Sequence, residues 1–341
     1  MNFSVRIEPS GHRFEVSDNE SVLDAALRQG YAFPYGCRNG GCGSCKGKIL
    51  TGDVAYPHGQ PPALSEEDAN NHIALFCQAR PTSDLVLEVK EIAGPQELPI
   101  KILPVKVQSK AFLADDVVQI FLKTPESERL QFLAGQYIDI LLKDGRRRSF
   151  SLANAPHDDA LLELHIRHVE GGDFTGFVCD ELQEKNILRV EGPHGNFYLR
   201  EDSSRPLIFV AGGTGFAPIK GIIEHALSEG LQQPMYLYWG VRDSKDLYMP
   251  ELPRKWAKHL PNFHFIPVLS EATGETQERT GYVHEAVVKD FPDGLENYQV
   301  YASGPPVMVQ ACFDALKAMG LAQDQYFSDA FEFQAPKAAA E

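Results

Sequence analysis

The first quarter of the chain alternates apolar and polar residues in short runs that are typical of β-strands. FSVRIE at 3–8 and HRFEV at 12–16 alternate with a period of two, and DLVLEVK at 84–90 is again strand-like. Between them, apolar residues recur at helical spacing over 22–27, after a capping-box pair at Ser17 and Glu20 and before Gly30. This pattern predicts a small β-grasp-like unit over residues 1–93, with one helix and a long loop.

Strand-like runs dominate the middle of the chain. Three prolines at 91–104 indicate a linker, which we place at residues 94–104. Over residues 105–203, turn sequences such as KDGR and EGGD separate the runs VVQIFLK, QYIDILLK, RRSFSLA and LLELHIRHV. Strands joined by short turns favour an antiparallel β-barrel.

From residue 204 the pattern changes to apolar strands that alternate with helical stretches. The strands are PLIFVAGG, PMYLYWG, FHFIPVLS and YQVYASG. This alternation predicts a parallel α/β domain over residues 204–333. The tail is of low complexity, and we expect residues 334–341 to be disordered. The predicted fold class is therefore multidomain α+β and α/β.

Composition narrows the classes of function. The formal net charge of −15 argues against nucleic-acid binding, which needs clustered basic side chains, but it suits a basic protein partner. The opening residues MNFSVRIEPS lack the basic start and apolar core of a secretion signal. No run approaches the roughly 18 apolar residues of a membrane span. We therefore expect a cytoplasmic protein without a membrane span.

Four of the six cysteines lie in the first quarter of the chain: Cys37, Cys42, Cys45 and Cys77. The first three stand in the glycine-rich stretch YGCRNGGCGSC with the spacing C-x4-C-x2-C, which is the ligand pattern of plant-type [2Fe–2S] clusters. Such a site needs four thiolates and backbone N–H groups turned toward sulfur, which the glycines permit. Structural zinc and a disulfide are the alternatives, but zinc ribbons pair two C-x2-C knuckles. We predict an iron–sulfur cluster.

Two later segments carry the residue types that bind a flavin. In RRRSFSLANAP, Arg148 can hold a phosphate, Phe150 offers an aromatic face and Ser151 offers a hydroxyl to the flavin ring. LELHIRHVEGGDFTGF ends in a Gly-Gly turn, whose N–H groups can receive a pyrophosphate and so favour FAD over FMN. For Arg146 and Arg147, a solvated turn is an equal alternative. The candidate flavin-binding residues are Arg148, Ser149, Phe150, Ser151, His165, Arg167, Gly172, Phe174 and Thr175.

In this order, the two segments match the R-x-[YF]-S and G-G-x-x-[ST] elements of the ferredoxin–NAD(P)+ reductase superfamily. The chain resembles the oxygenase-reductase branch of this superfamily over nearly its whole length. The resemblance implies a plant-type [2Fe–2S] ferredoxin domain at 1–93, an FAD-binding β-barrel at 105–203 and an NAD(P)H-binding α/β domain at 204–333.

The same resemblance assigns the nicotinamide site. In the superfamily, a G-G-T-G-x-x-P segment after an apolar strand receives the nicotinamide and pyrophosphate, and residues after the next strand surround the adenosine. The matching residues are Gly212, Gly213, Thr214, Gly215, Pro218, Gly240, Arg242, Tyr248, Gly304 and Pro305. Ser303 replaces the cysteine of the family motif C-G-P-P-x-M, and this replacement puts the efficiency of hydride transfer in doubt.

Three residues are candidates for catalysis: Ser151, Ser303 and Phe331. Phe331, in FSDAF, is expected either to cover the flavin face or to belong to a buried terminal strand. Asp243 and Asp246 would repel a 2′-phosphate, which favours NADH over NADPH, although solvated loop charges are an equal alternative.

The resemblance implies an oxidoreductase that passes electrons from NADH to FAD, then to the [2Fe–2S] cluster, and then to a separate redox partner, a dehydrase or an oxygenase component. A reductase of an aromatic-ring or other oxygenase system is one alternative. A non-catalytic metal-binding carrier module is an alternative of another class. The motifs do not identify the partner or the oligomeric state.

Overall fold

The computed structural model describes residues 2–31, 33–36, 38–41, 43–89, 91 and 98–331. It divides into two compact units, Met1–Glu97 and Leu98–Glu341. Residues 94–97 of the predicted linker and the predicted tail at 334–341 lie outside the described residues. The domain boundaries given above stay predictions.

A five-stranded sheet forms the first unit. Its strands are β1 (Asn2–Glu8), β2 (Arg13–Ser17), β3 (Lys46–Thr51), β5 (Ile73–Leu75) and β7 (Leu85–Glu88), and β4 (Val54–Ala55) and β6 (Arg80–Pro81) form a separate small pair. The order is β2-β1-β7-β3-β5, with β1 and β7 parallel and the other neighbours antiparallel. The alternation predicted for β1 holds, since Val5 and Ile7 are fully buried.

Two short helices complete this unit, α1 (Val22–Arg28) and α2 (Glu66–Asn70). The predicted capping residue of the first helix was wrong. The N-cap is Ser21, whose hydroxyl accepts a hydrogen bond of 3.1 Å from the Asp24 amide, because the chain turns once more after Ser17. Gly30 follows the helix with a φ of +84°, as expected for a glycine at this position.

The second unit begins with a six-stranded antiparallel sheet. Its strands are β8 (Lys101–Ala114), β9 (Val117–Lys123), β10 (Tyr137–Leu141), β11 (Arg147–Ser151), β12 (Leu162–Arg167) and β13 (Ile187–His194), and helix α3 (Asp173–Asp180) lies between the last two. The order is β11-β10-β13-β8-β9-β12. The outer strands β11 and β12 also contact one another, so the sheet curls into the predicted barrel-like form.

One strand of this sheet starts earlier than the sequence pattern indicates. β8 begins at Lys101, inside the predicted linker. Its residues Leu103, Val105 and Val107 alternate into the core, whereas Pro104 is exposed on the other face. Pro104 therefore lies within a strand, and residues 101–104 of the predicted linker belong to the sheet.

A six-stranded parallel sheet follows. Its strands are β14 (Leu207–Gly212), β15 (Met235–Val241), β16 (Phe263–Leu269), β17 (Arg279–Thr280), β18 (Gln299–Gly304) and β19 (Tyr326–Ala330). The helices are α4 (Phe216–Ser228), α5 (Glu251–His259), α6 (Val283–Asp290) and α7 (Pro306–Ala318). The strand order is β17-β16-β15-β14-β18-β19, which confirms the predicted parallel arrangement.

This topology indicates where a ligand binds. The strand order reverses between β14 and β18, and open α/β sheets bind ligands beyond the carboxyl ends of their strands at such a point. The residues that follow these two ends are the glycine turn at 213–215 and the turn at 305. Among the described residues, no helix combines the length and the hydropathy that crossing a bilayer requires.

Candidate functional site

Two of the four predicted cluster ligands lie close together in the first unit. Cys45 immediately precedes β3 and Cys77 follows β5, and the side chains are 4% and 6% exposed. The amide of Phe76 donates a hydrogen bond of 3.1 Å to the carbonyl of Cys45, which joins the two segments. Cys37 and Cys42 lie outside the described residues. The positions of Cys45 and Cys77 therefore suit a site in which thiolates bind a metal cluster.

The backbone of the cysteine loop has the curvature that such a site needs. Gly40 and Gly43 have φ angles of +85° and +76°. A Cβ atom on Gly40 would lie 2.8 Å from the Cβ of Pro61, so no side chain fits there without movement. Arg38 also has a positive φ, and its guanidinium pairs with Asp24 at 2.6 Å.

The three consecutive arginines before the flavin-type strand have different environments. Arg146 pairs with Asp144 and Asp173 at 2.6 and 2.9 Å. Arg147 pairs with Glu191 and, at 3.5 Å, with Asp139. Both side chains are largely solvent-exposed, at 38% and 47%, which agrees with the solvated turn that was the alternative for these two residues.

Arg148 differs from its two neighbours. Its guanidinium donates a hydrogen bond of 2.9 Å to the carbonyl of Arg147 and pairs with no carboxylate among the described residues. Burial and the nearby charge of Arg146 lower the pKa of Arg148 from its usual value. A half-buried cation without an acidic partner is suited to an anion, so this residue fits a phosphate group.

The pair of aromatic residues predicted for the flavin is brought together. Phe150 on β11 and Phe174 on α3 pack with ring centroids 5.7 Å apart. The hydroxyl of Ser151 donates a hydrogen bond of 3.0 Å to the carboxylate of Asp329 on β19. Sequence reasoning missed Asp329, although it stands in the middle of the FSDAF segment.

The Gly-Gly turn leads directly into helix α3. The hydroxyl of Thr175 accepts a hydrogen bond of 3.1 Å from the Val169 amide, and Gly172 is the N-cap. A Cβ atom on Gly172 would lie 2.6 Å from the Thr175 hydroxyl, so the turn has no room for a side chain. Thr175 therefore shapes the turn, and the free N–H groups of the first helical turn are what an anion would meet.

Ser149 belongs to a polar group that includes the second arginine. Its hydroxyl donates a hydrogen bond of 2.6 Å to Asp139. Ligand-type atoms of Asp139, Glu191 and His194 lie within 4.8 Å of one another. The guanidinium of Arg147 pairs with both carboxylates. The arginine therefore neutralises the charge that would otherwise attract a metal ion.

At the switch point of the parallel sheet, two turns touch through their backbones. A Cβ atom on Gly215 would lie 2.0 Å from the carbonyl oxygen of Ser303, and one on Gly304 would lie 2.9 Å from the Cα of Gly212. Both positions therefore need glycine. Thr214 and Pro218 stand in the same turn and in the start of α4, and Pro305 opens the second turn.

Ser303 and Phe331 meet this pair of turns. Ser303 is fully buried, and its hydroxyl has no hydrogen-bond partner among the described residues. The amide of Phe331 donates a hydrogen bond of 2.9 Å to the carbonyl of Gly304. Residues 326–330 form an edge strand beside β18, and the half-buried Phe331 directly follows this strand. Most of FSDAF is therefore a terminal strand, and covering of the flavin face by Phe331 stays a prediction. An unpartnered buried hydroxyl fits a polar group of a ligand in this crevice.

The loop after β15 holds the remaining adenosine candidates. Gly240 lies against Val283, where a Cβ atom would come within 3.0 Å, and Arg242 is exposed. Asp243 accepts hydrogen bonds from Thr273 and from the Ser244 amide, and the Thr273 bond lowers its pKa. Asp243 thus stays charged. The Asp246 carboxylate stabilises the turn by accepting a hydrogen bond of 3.0 Å from the Asp243 amide.

Three other predicted binding residues are engaged with protein groups. Arg167 pairs with Asp116 at 2.6 Å and lies beside Gly213, where a Cβ atom would be 3.5 Å from its guanidinium. His165 and Tyr248 are buried and hydrogen-bonded to one another at 3.0 Å. Their polar atoms therefore face the protein interior, which the motif alone did not indicate.

Three family models match successive parts of the chain. A 2Fe-2S iron-sulfur cluster binding domain matches residues 5–82, an oxidoreductase FAD-binding domain matches 104–198, and an oxidoreductase NAD-binding domain matches 209–314. These matches confirm the predicted fold class and the predicted cofactors, a [2Fe–2S] cluster, FAD and a nicotinamide dinucleotide.

Known proteins resemble the chain over nearly its whole length. The CDP-6-deoxy-L-threo-D-glycero-4-hexulose-3-dehydrase reductase of Yersinia pestis is 38% identical, over 97% of this chain and 99% of the relative. Terephthalate 1,2-dioxygenase, reductase component 1, of Comamonas sp. is 35% identical, over 97% and 98%. The crystal structure of the Amycolatopsis cytochrome P450 reductase GcoB has a TM-score of 0.81 and 34% identity, over 96% and 98%.

The run of motifs from AGQYIDI to FSDAF predicts a resemblance to the first of these relatives, and the comparison confirms it. The expected class, an NAD(P)H-dependent oxidoreductase that acts as a reductase component, is also confirmed. The reductase interpretation is thus favoured over the non-catalytic carrier module.

Proposed function

The chain belongs to the ferredoxin–NAD(P)+ reductase superfamily, in its branch with a plant-type ferredoxin domain, and we propose that it delivers electrons from NADH to a separate partner protein. As an iron–sulfur flavoprotein reductase it uses FAD and a [2Fe–2S] cluster. When bound, these groups convert the two-electron hydride of NADH into single electrons. The chain's own residues hold and orient the groups.

On the flavin side, Arg148 would hold a phosphate, because it is the one of the three arginines that pairs with no carboxylate in the described part of the chain. The first-turn amides of α3, shaped by Gly172 and Thr175, would hold the pyrophosphate. Phe150 and Phe174 offer aromatic surface, and Ser151 offers an oriented hydroxyl.

On the nicotinamide side, the crevice between the turns at 212–215 and 303–305 would take the nicotinamide. The two backbones pack without side chains between them. The Ser303 hydroxyl, which has no hydrogen-bond partner in the described ranges, is available to polar groups of the nicotinamide. Arg242 is exposed after β15 and suits a phosphate of the dinucleotide, and the charge of Asp243 favours NADH over NADPH.

The observation that carries the proposal lies within the second unit. The flavin-type strand and the last parallel strand are joined by the hydrogen bond from Ser151 to Asp329. Phe331, two residues beyond Asp329, bonds to the nicotinamide-type turn through its amide. The two nucleotide sites are therefore neighbours, as direct hydride transfer requires.

We propose that Cys37, Cys42, Cys45 and Cys77 together hold the cluster, and that the chain acts in the cytoplasm. The acceptor is an iron–sulfur dehydrase or an oxygenase component. Both classes of acceptor are kept because the chain resembles, over the same 97% of its length, the reductase of a sugar dehydrase and the reductase of a dioxygenase.

Reconstitution tests this proposal. Purified chain is mixed with NADH and either a CDP-sugar dehydrase or a terminal aromatic oxygenase, and product formation is measured. Product that requires both the chain and NADH with one of the two supports the proposal and names the partner class. Rapid NADH-dependent reduction of cytochrome c with no product from either partner would contradict the partner assignment.

A further inference from the structure

A buried ion pair joins the flavin-type barrel to the helix that follows the nicotinamide-type turn. Glu163 on β12 and Lys220 on α4 are 4% and 6% exposed, and their charged atoms lie 2.9 Å apart. The ammonium of Lys220 also donates to the carbonyl of Ala153 and to Glu224, both at 3.0 Å. All three of its protons are therefore used, in three fixed directions.

The carboxylate of Glu163 is equally occupied. Besides the bond from Lys220, its other oxygen accepts from Gln119 at 2.6 Å and from the Nε2 of His165 at 2.8 Å. Burial opposes ionisation, but the hydrogen bond from His165 and the charge of Lys220 prevail and lower the pKa of Glu163 to about 2. The group is thus an ionised carboxylate with partners on every side.

A second connection runs from His165 to the glycine turn. With Nε2–H donated to Glu163, the neutral ring of His165 accepts at Nδ1 from the hydroxyl of Tyr248. The Tyr248 ring packs edge-on against Trp239, with centroids 5.1 Å apart. The indole N–H of Trp239 donates a hydrogen bond of 3.0 Å to the carbonyl of Gly213.

The backbone of α4 lies directly on the segment that follows the flavin-type strand. A Cβ atom on Gly221 would lie 2.9 Å from the carbonyl oxygen of Asn154 and 3.2 Å from that of Leu152. Lys220 therefore bonds to Ala153 at the centre of a close helix–backbone contact. A shift of α4 would move the turn at 213–215 relative to Ser151.

A buried ion pair is weak support for stability, because desolvation offsets much of the attraction. The three hydrogen bonds of Lys220, each in a different direction, instead fix the orientation of α4 relative to the segment after β11. We propose that Glu163 and Lys220 are positioning residues, which set the nicotinamide-type turn against the flavin-type strand at the separation that hydride transfer needs. This inference rests on the proposed function and deepens it.

The test removes both charges together. Glu163→Gln with Lys220→Met removes both charges of the buried pair, whereas Lys220→Met alone leaves the buried Glu163 carboxylate without its cation. Both variants also remove the bond from Lys220 to the half-buried Glu224, so that loss is common to them. The matched control is Lys123→Met, which removes only the exposed pair of Lys123 with Glu126. Anaerobic stopped-flow spectra give the limiting rate of flavin bleaching and the Kd for NADH, and NADH deuterated at C4 gives the isotope effect.

We expect the double variant to retain FAD and to bind NADH within about 3-fold of the wild type, while its limiting rate falls at least about 10-fold and its isotope effect rises. Bleaching at the wild-type rate with an unchanged isotope effect would overturn the inference. If Lys220→Met does not fold, the bleaching rate of the double variant still tests the positioning role. A wild-type flavin that neither NADH nor NADPH bleaches would overturn the proposed function as well, so the two failures are distinct.

Discussion

The hydroxyl of Ser151, at the end of β11, donates a hydrogen bond of 3.0 Å to the carboxylate of Asp329 on β19. Both side chains are buried, at 7% and 6% exposure. The residues are separated by 178 positions in the chain, so the bond closes the antiparallel sheet onto the last parallel strand. It orients the hydroxyl that we assign to the flavin.

Loss of this bond should lower the rate of flavin reduction more than it lowers the affinity for the flavin. Asp329→Ala removes a charge-assisted hydrogen bond, which contributes about 1.5–3 kcal/mol, and we expect the rate of flavin bleaching by NADH to fall about 10- to 100-fold. Asp329→Asn keeps an acceptor oxygen and should lose less. Stopped-flow spectra give the rates, and exposed Asp324→Asn is the control. Equal rates for Asp329→Ala and wild type would show that the bond has no part in reduction.

Arg148 should be the arginine that retains the flavin. Arg148→Ala removes a cation that pairs with no carboxylate of residues 98–331 or of the other described ranges. We expect FAD affinity to fall about 10- to 100-fold, because a charge-assisted bond to phosphate is lost. Arg146→Ala, which breaks only exposed pairs, is the matched control. The measurement is the FAD content per chain after gel filtration. Equal retention by both variants would contradict the assignment.

Cys45→Ser should separate the two halves of the electron path. Without this ligand the cluster is lost, so we expect NADH-dependent cytochrome c reduction to fall at least about 10-fold, while NADH–ferricyanide activity at the flavin persists. Cys179→Ser, on α3, is the control for thiol removal. Iron content and the two activities are measured on the same preparation. Parallel loss of both activities in protein that still holds FAD would count against this order of carriers.

Ser303 should respond to restoration of the family cysteine. A buried hydroxyl without a partner costs about 1–3 kcal/mol, so Ser303→Ala should stabilise the protein freed of ligands while slowing hydride transfer. Ser303→Cys should raise the rate of flavin bleaching about 2- to 10-fold, if the thiol supports the transfer as the family motif implies. Thermal unfolding and stopped-flow rates test the two parts. A slower Ser303→Cys variant would contradict this role.

The buried histidine should make the second unit sensitive to acid. Burial lowers the pKa of His165 below its usual 6.5, against the hydrogen bond to Glu163. As pH falls below 6.5, this histidine becomes protonated in the unfolded chain but stays neutral in the folded chain. The unfolded state then binds more protons, so the free energy of unfolding falls. His165→Gln should reduce the slope by up to about 1.4 kcal/mol per pH unit.

Denaturation followed by tryptophan fluorescence measures this slope between about pH 7 and pH 5, because Trp239 and Trp256 both lie in the second unit. Exposed His264→Gln is the matched control. An unchanged slope in His165→Gln would mean that the folded histidine takes up its proton normally.

Local patterns predicted the sheets and the motif residues because spacing of two or of helical period reports directly on a buried face. The cysteine spacing and the glycine turns were readable for the same reason, since each is a short run of sequence. The N-cap at Ser21 was missed because several polar residues precede α1 and only the backbone path decides among them.

The polar contacts between the two sheets could not be read in this way. The flavin-type motif makes His165 a binding candidate and gives Glu163 no role, yet both side chains are buried against α4 and the Tyr248 loop and bond to protein groups. Glu163 and Lys220 are 57 positions apart, and their pairing depends on how a helix packs on a distant strand. No local pattern contains that information.

The most direct test of the proposed electron path is an anaerobic visible spectrum of the purified chain before and after NADH. We expect flavin and iron–sulfur absorbance together, and bleaching of both on addition of about 1.5 equivalents of NADH, since FAD takes two electrons and the cluster one. Fully loaded protein whose flavin bleaches while the cluster absorbance stays unchanged would contradict transfer from FAD to the cluster. A chain that responds to neither NADH nor NADPH would contradict the reductase itself.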